Sequence, residues 1–259
     1  MGPLAGVRIL DLTTVMMGPS ATQGLAELGA DVIKVEAPGG DPVRYIGPAR
    51  HHGMGALFLN ANGSKRSIVL DLKSEGGRAA LLRLCEGADV LAYNIRPQAM
   101  ARLGLGYDDV RAVRPDILYA GMFGYGQEGP YAARPAYDDL IQGAALLPFL
   151  IARAGDGTPR YVPAAIADRV VGLAAVGAIS AALYHRQKTG EGQRLDVPMF
   201  ETMVGMAYLH GKAINMAAFL EIDNVIDPRE TRHWIMRGLR SLPPPEKRPG
   251  KKRPNIDTW

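Results

Sequence analysis

Short apolar runs, separated by glycine-rich turns and helix-forming segments, fill most of this sequence. Runs of this length and composition are typical of buried strands. They predict six strands, at Val7–Leu12, Ala30–Glu36, Lys65–Leu72, Ala88–Asn94, Ile117–Phe123 and Arg194–Val197.

Helix-forming segments lie between these runs. They predict helices at Ala21–Leu28, Ser74–Cys85, Pro97–Leu103, Tyr107–Val113, Asp138–Leu150, Arg169–Gln187 and Phe200–Leu220. The alternation predicts an α/β fold, an open parallel sheet with helices on both faces. Ligands of such sheets bind outside the carboxyl ends of the strands. The candidate site loops are therefore Val15–Pro19, Ala37–Asp41, Asn94–Pro97 and Phe123–Pro130.

The longest predicted helix, Arg169–Gln187, is rich in alanine, leucine and small residues and contains no proline. Asp168 precedes it and is predicted to be its N-cap, because an aspartate there accepts bonds from free backbone N–H groups. Gly190 gives a C-terminal stop signal. The small residues predict that another element packs closely on this helix. From the helix alone, Asp168 is interpreted as a structural cap.

Composition narrows the function classes. The chain has 259 residues, of which 47% are hydrophobic, enough for one large domain. Its single cysteine, Cys85, excludes an intramolecular disulfide and a cysteine-built metal cluster, and is predicted to lie in the core. The five histidines lack metal-ligand spacing, so we expect no metal site. The glycines form no GxGxxG pattern, so no dinucleotide is predicted.

The net charge of +4 gives a misleading hint of anionic partners. Residues 227–259 hold nine Lys or Arg against four Asp or Glu, a surplus of five that leaves −1 for residues 1–226. We therefore expect no nucleic-acid partner. The N-terminus shows no leader pattern, and the long apolar helix is interpreted as buried, not membrane-spanning. A cytoplasmic protein is the resulting expectation.

The composition also predicts the domain organisation. Residues 1–200 are expected to form the α/β domain and residues 201–221 a linker helix. Residues 222–259 form a tail rich in Pro, Lys and Arg, which has little to bury and is predicted to be poorly ordered.

Several motifs carry a resemblance to a known family. They are PLAGVRILDLTTVMMGPSATQGLAELGADVIKVEAPGGD at 3–41, NANGSKRSIVLDLKSEGG at 60–77, ADVLAYNIRP at 88–97, RLGLGYDDV at 102–110, GYGQEGPYAARPAYDDLIQG at 124–143 and AALYHRQKTGEGQRLDV at 181–197. Together they resemble the class III CoA-transferases, the family of formyl-CoA and carnitine-type CoA-transferases and α-methylacyl-CoA racemase. The resemblance covers roughly residues 3–205 and implies a Rossmann-like large domain that binds CoA.

The resemblance implies that Asp168 is a catalytic nucleophile. In the family, the equivalent carboxylate attacks an acyl-CoA thioester and CoA then passes to a carboxylic acid acceptor through covalent aspartyl intermediates. CoA and acyl-CoA would be substrates, with no permanently bound cofactor and no metal. A helix N-terminus suits this role, because its dipole favours the ionised carboxylate.

The resemblance also implies CoA-contacting positions. They are Val15, Met16 and Met17 after the first strand, Leu70 and Lys73 after the third, and Asn94, Ile95 and Arg102 after the fourth. Lys73 and Arg102 have the chemistry of phosphate partners. An arginine that the family uses for the nucleotide phosphate is replaced here by Ala37, and Met16-Met17 stands where formyl-CoA transferases have Gln-Ala.

Two alternatives to a transferase stay open. The first is an α-methylacyl-CoA racemase or epimerase, which is disfavoured because Tyr137 stands where racemases have a histidine, and a phenol is a weak base at neutral pH. The second is a truncated, non-catalytic CoA-binding remnant. The family continues well beyond residue 259 into a small domain that is predicted to be largely missing here. Family members form interlocked homodimers, so a homodimer is also expected.

Overall fold

A computed structural model describes residues 2–206, and all structural statements below refer to them. They form a six-stranded sheet in which every neighbouring pair is parallel, as predicted. The strands are β1 (Arg8–Leu12), β2 (Asp31–Glu36), β3 (Arg66–Val69), β4 (Val90–Tyr93), β5 (Leu118–Phe123) and β6 (Arg194–Pro198). Their order in the sheet is β3-β2-β1-β4-β5-β6. From β1 the chain adds β2 and β3 on one side and then β4, β5 and β6 on the other, so the strand order reverses between β1 and β4. Such a reversal opens a crevice at the carboxyl ends of those two strands.

Helices cover both faces of the sheet, which confirms the predicted fold class. They are α1 (Met17–Glu27), α2 (Ala56–Ala61), α3 (Glu75–Glu86), α4 (Pro97–Arg102), α5 (Tyr107–Val113), α6 (Asp138–Ala144), α7 (Leu147–Ala154), α8 (Ile166–Thr189) and α9 (Met199–Val204), with a 3₁₀ helix at Pro42–Tyr45. One core cluster joins alternate strand residues to α1, α6, α8 and α9. The other joins the opposite strand face to α3, α4 and α5 and includes Cys85, as predicted.

Two predicted helix boundaries differ from the structure, and both lie close to a proline. The turn predicted at Val15–Pro19 ends at Met16, because α1 begins at Met17 and contains Pro19 in its first turn. The single helix predicted at Asp138–Leu150 is two helices that meet at Leu146, which has φ of 60°. Proline is tolerated in the first turn of a helix, where its missing N–H is no loss.

Helix α8 packs along α1, and this contact explains its small residues. A Cβ on Gly172 would lie 3.1 Å from the carbonyl oxygen of Met17, so a larger side chain would separate the two helices. By length and composition α8 is apolar enough to cross a membrane. One face of α8 belongs to the core cluster that covers the sheet, whereas other apolar residues, such as Leu173, are exposed, so the interpretation as a buried helix holds for that face alone.

The division into domains is only partly described. By compactness the chain separates into Met1–Leu209 and His210–Trp259. Helix α9 contributes Met199 and Met203 to the core of the first unit. Most of the linker helix predicted at 201–221, and the whole of the predicted tail at 222–259, lie outside the described residues.

Candidate active site

Two neighbouring cavities open at the carboxyl edge of the sheet, where the four predicted site loops lie. The Asp168 cavity, of about 260 Å³, is lined by the loops after β1, β4 and β5, with Asp168 and Met199 in its wall. The Lys73 cavity, of about 500 Å³, is lined by the loops after β2 and β3, with Ile95 and Leu103 on its far side. Thr14 borders both cavities, so they adjoin at the crevice between β1 and β4.

Asp168 lies at the start of α8 and is half-buried. The prediction that it is the N-cap was wrong: Ala165 is the N-cap, and Asp168 is the third residue of the first turn. Its own backbone N–H donates to Oδ2 of Asp138 at 2.9 Å, so a carboxylate from α6 occupies the capping position. The Asp168 side chain is therefore free to face the cavity.

The surroundings of Asp168 make its carboxyl group more basic than usual. Burial, and then the negative charge of Asp138, raise its pKa to about 6, while the Met17 backbone N–H and the Arg169 charge lower it. A carboxylate with a raised pKa is a stronger nucleophile and still ionises near neutral pH. Burial of the Asp168 carboxylate is thus the largest influence on its pKa, and the Met17 N–H partly offsets it.

The loop after β5 forms one wall of the Asp168 cavity and is held in place at both ends. The backbone N–H of Gly126 donates to Oε1 of Glu201 at 2.9 Å, which ties the loop to α9. A Cβ on Gly124 would lie only 2.0 Å from the Cβ of Ala136, so this close approach requires glycine. Arg134 and Tyr137 extend from the same loop into the cavity lining, and Arg96 lines it from the loop after β4.

The predicted CoA-contacting residues divide between the two cavities. Val15, Met16, Met17 and Asn94 line the Asp168 cavity. Leu70, Lys73 and Ile95 line the Lys73 cavity. Arg102, at the end of α4, lines neither, and its Nε donates to the carbonyl oxygen of Gln98 at 3.2 Å.

Asn94 has a structural task in addition to its predicted contact. Its Nδ2 donates to the carbonyl oxygen of Thr14 at 2.8 Å, and its Oδ1 accepts from the Thr14 N–H at 3.0 Å. This paired arrangement bridges the loops after β1 and β4 across the crevice. The Asn94 side-chain amide would therefore have to bind a ligand and Thr14 at the same time.

Lys65 and Arg66 are adjacent cations with very different surroundings. Only Arg66 is exposed, and it pairs with Asp31 at 2.7 Å. The Lys65 side chain is 2% exposed, and its Nζ lies 2.9 Å from Oδ2 of Asp11, which is fully buried. Lys65 is thus committed to an internal ion pair and is not placed to bind a phosphate.

Sequence reasoning missed the buried charges beneath the loop after β1. Lys34 and Asp41 form an ion pair of 2.9 Å with side chains 2% and 0% exposed. One signal was present: Lys34 interrupts the run Val32–Val35, whose other residues are all apolar, as expected for a buried strand. Its partner, from a later loop, could not be read from the sequence.

No group of three or more His, Cys, Asp or Glu residues in the described part of the chain is arranged to hold a metal ion. Cys85 is buried, and this burial raises the pKa of its thiol to about 12. Asp168, by contrast, lies in the wall of a cavity and its carboxyl group has a raised pKa.

The half-buried Asp168 carboxylate thus lies beside two adjoining cavities at the carboxyl edge of a parallel sheet, the place where α/β proteins of this kind bind ligands. The profile of CoA-transferase family III matches residues 4–222, and the chain belongs to this family.

Characterised relatives support this assignment. The chain is 41% identical over 206 residues to a succinate–glutarate CoA-transferase of Agrobacterium fabrum, an alignment that covers 77% of this chain and 51% of the relative. It is 42% identical over 203 residues to an acetyl-CoA:oxalate CoA-transferase of Acetobacter aceti, with coverages of 77% and 51%. The chain thus spans about half the length of these relatives.

Solved structures agree with the fold. A CAIB/BAIF family protein from Brucella suis has a TM-score of 0.75 and 37% identity, covering 84% of this chain and 58% of that one. A protein from Mycobacterium tuberculosis, described as hypothetical, has a TM-score of 0.73 and 36% identity, with coverages of 84% and 60%.

Proposed function

We propose that the protein is a CoA-transferase that moves CoA from an acyl-CoA to a carboxylic acid through a covalent intermediate on Asp168. The observation that carries the proposal is the position of the Asp168 carboxylate, with its pKa raised to about 6, in a cavity that adjoins a second, larger one. The names of the relatives support the reaction class.

The two cavities suit the two ends of an acyl-CoA. Pockets of about 300–1,000 Å³ are usual for small-molecule ligands, and the Lys73 cavity, at about 500 Å³, lies in this range and presents a lysine for phosphate. The Asp168 cavity, at about 260 Å³, suits a small acyl group. A thin, flexible linker passing Thr14 would place the thioester beside Asp168.

The proposed chemistry has four balanced steps. The Asp168 carboxylate attacks the thioester carbonyl, and the CoA thiolate leaves, which gives a mixed anhydride. The thiolate then attacks the Asp168 carbonyl and releases the donor acid, which leaves an aspartyl–CoA thioester. The acceptor carboxylate attacks this thioester, expels the thiolate and forms a second anhydride. The thiolate finally attacks the acceptor carbonyl, which yields the new acyl-CoA and regenerates Asp168.

Each proposed step develops negative charge close to Asp168. The Met17 N–H, which interacts with the carboxylate, is a donor of the type that stabilises an oxyanion. Arg169 follows Asp168 on the same helix and also favours the negative charge. These groups would favour the attack without proton transfer by a separate base, since a carboxylate nucleophile is already ionised above its pKa.

We extend the proposal to the substrate class, a small dicarboxylic acid as donor or acceptor. Relatives are named for succinate, glutarate and oxalate, all of which carry two carboxylates. Arg134 lines the Asp168 cavity and not the Lys73 cavity, which suits a partner for the second carboxylate. We expect Arg134→Gln to raise the KM for glutarate at least tenfold and to leave that for butyrate within twofold, with the exposed Arg153→Gln as the control.

Mass spectrometry after incubation with succinyl-CoA tests the transferase proposal. An adduct of CoA mass on Asp168, absent in Asp168→Asn, is the expected result. Exchange of the α-proton without transfer to glutarate would favour a racemase. Binding of CoA without any adduct would favour a non-catalytic CoA-binding protein and would refute the proposal.

Two further expectations belong to the same proposal. A homodimer is supported by the family resemblance and by exposed apolar side chains on and beside α7, Leu146 and Phe149 among them. Light scattering coupled to size-exclusion chromatography would detect it. A cytoplasmic location is supported by the reducing compartment that the single cysteine suggests, and cell fractionation would test it.

A further inference from the structure

The segment Thr13–Val15, which separates β1 from α1, is held by side chains from three other parts of the chain. The carbonyl oxygen of Thr13 accepts from Nζ of Lys34 at 2.8 Å. Both backbone groups of Thr14 bind the Asn94 amide. The N–H of Val15 donates to Oδ1 of Asp41 at 3.3 Å. A loop with so many of its polar backbone groups bound to neighbours is fixed more firmly than one that faces solvent.

Lys34 and Asp41 are the charged part of this arrangement. Their ion pair of 2.9 Å is almost fully buried. Asp41 also accepts from the Val43 N–H at 3.2 Å, and its own N–H donates to Glu36 at 3.0 Å. Replacing a buried ion pair by apolar residues is often neutral for stability. Both members of the pair also bind this loop, Lys34 at the Thr13 carbonyl oxygen and Asp41 at the Val15 N–H, which suggests a task beyond stability.

The backbone of Val15 shows that the loop is under constraint. Its φ of 72° lies in the left-handed region, which a β-branched residue rarely adopts. Such a conformation persists only where the surrounding contacts over-determine it. Here the contacts on Thr13, Thr14 and Val15 supply that constraint.

The constrained loop leads directly to Asp168. Two residues after Val15, α1 begins with Met17, which lines the same cavity as Asp168 and whose N–H interacts with the Asp168 carboxylate. The Met17 carbonyl oxygen also lies against Gly172, one turn further along α8. The position of this donor is thus set by the loop on one side and by α8 on the other.

We propose that Lys34 and Asp41 are positioning residues that hold the Thr13–Val15 loop so that the Met17 N–H stays on the Asp168 carboxylate. The proposal rests on the proposed function for the catalytic role of Asp168, but the geometry that it describes is independent of turnover. It assigns to a buried ion pair, which does not touch Asp168, control over the ionisation of that residue.

The test is the titration of Asp168 by NMR in protein labelled with ¹³C at the aspartate carboxyl groups, with Asp168→Asn to assign the signal. The test variant is Lys34→Met combined with Asp41→Leu. It removes one positive and one negative charge, so that long-range electrostatic effects on Asp168 largely cancel. Other groups near Asp168, namely Asp138, Arg169 and the cavity-lining Arg96, Arg134 and Tyr137, are unchanged.

The matched control is Arg186→Met combined with Asp89→Leu. This pair, 2.6 Å apart, lies at the opposite edge of the sheet, and Asp89 likewise accepts a backbone N–H, that of Arg8. We expect the pKa of Asp168 to rise in the test variant by about half a unit, roughly a threefold tighter proton binding. In the control it should not change.

The outcomes separate the inference from the proposed function. An unchanged pKa in the folded test variant, or an equal rise in the control, would overturn the inference even if wild type forms the CoA adduct. A selective rise without any adduct in wild type would support the inference and refute the transferase. If the test variant does not fold, Lys34→Met with Asp41→Asn keeps the acceptor for Val15 and should give a smaller rise; no rise would be equally decisive. Lys34→Gln with Asp41→Asn, which can rebuild the hydrogen bonds, should restore the wild-type pKa.

Discussion

Replacing Asp138 by asparagine tests the electrostatic origin of the Asp168 site. The Asp138 carboxylate accepts the Asp168 N–H through Oδ2 at 2.9 Å and binds Gln142 Nε2 through Oδ1 at 2.6 Å. Asparagine keeps one oxygen for the Asp168 N–H and removes the charge. Gln142 keeps a partner, because Nε2 also donates to the carbonyl oxygen of Ala164 at 3.2 Å. The change removes one negative charge and one acceptor for Gln142, whose Oε1 stays bound to the Val162 N–H.

The expected magnitude follows from the causes of the raised pKa. Burial is the larger contribution and remains in the variant, whereas the Asp138 charge is the second and is lost. We expect the pKa of Asp168 to fall from about 6 by roughly one unit, equivalent to about 1.4 kcal/mol. It should stay above the ordinary value of 3.8, because the desolvation persists.

The pH dependence of the rate of adduct formation with succinyl-CoA measures this shift of the Asp168 pKa in the reaction itself. The acid limb of the rate should move to lower pH by the same amount, because Asp168 ionises more readily. The plateau at alkaline pH should fall, since a less basic carboxylate is a weaker nucleophile. Titration of the Asp168 ¹³C signal gives the pKa directly.

Asp139→Asn is the control for this prediction, since Asp139 is the exposed neighbour on α6 and carries the same charge. Its substitution should leave the pKa of Asp168 unchanged. An unchanged acid limb in Asp138→Asn, or equal movements in both variants, would show that the adjacent carboxylate is not what raises the pKa.

Three further predictions concern stability, each measured by chemical denaturation. Asp168→Asn should raise the free energy of unfolding by up to about 3 kcal/mol at pH 7 and progressively less as the pH falls from 6 to 4. In that pH range Asp168 holds a proton in the folded protein and releases it in the unfolded chain. An equal gain at pH 4 would contradict this. Val15→Gly should be neutral or stabilising by about 1 kcal/mol, because glycine tolerates positive φ; a loss of 2 kcal/mol or more would argue against strain at this position. Arg44→Lys should cost about 1–3 kcal/mol, since it loses two hydrogen bonds of 2.6 Å to Glu36 and the stacking 3.7 Å over Phe58; a loss near zero would contradict it.

The sequence predicted the sheet and its covering helices because strand length, glycine turns and apolar runs are local signals. It failed at prolines. Pro19 and Pro148 both lie in the first turn of a helix, where proline is compatible with helical structure, yet the first was interpreted as part of a break and the second as part of a continuous helix. The positive φ of Leu146, the N-cap of α7, has no signal in its residue type.

The candidate site was predicted less completely than the fold. Asp168 and the loops around it followed from the family resemblance and from the rule for parallel sheets. The buried charges did not, because an ion pair such as Lys65 with Asp11 joins positions 54 residues apart. Two adjacent cations have the same local pattern whether a distant carboxylate reaches one of them or not. Only the tertiary structure distinguishes the buried lysine from its exposed neighbour.

Helix α8 is held near its first turn by two neighbouring helices, which fixes the position of the Asp168 α-carbon. Its 24 residues extend about 36 Å. Its first turn is tied to Asp138 on α6, and one turn further on Gly172 lies against the Met17 carbonyl oxygen of α1. Repositioning the carboxylate would require sliding the whole helix along α1. In the proposed reaction the thioester is therefore the partner that moves, and structures with and without a bound acyl-CoA should superimpose at the α-carbon of Asp168.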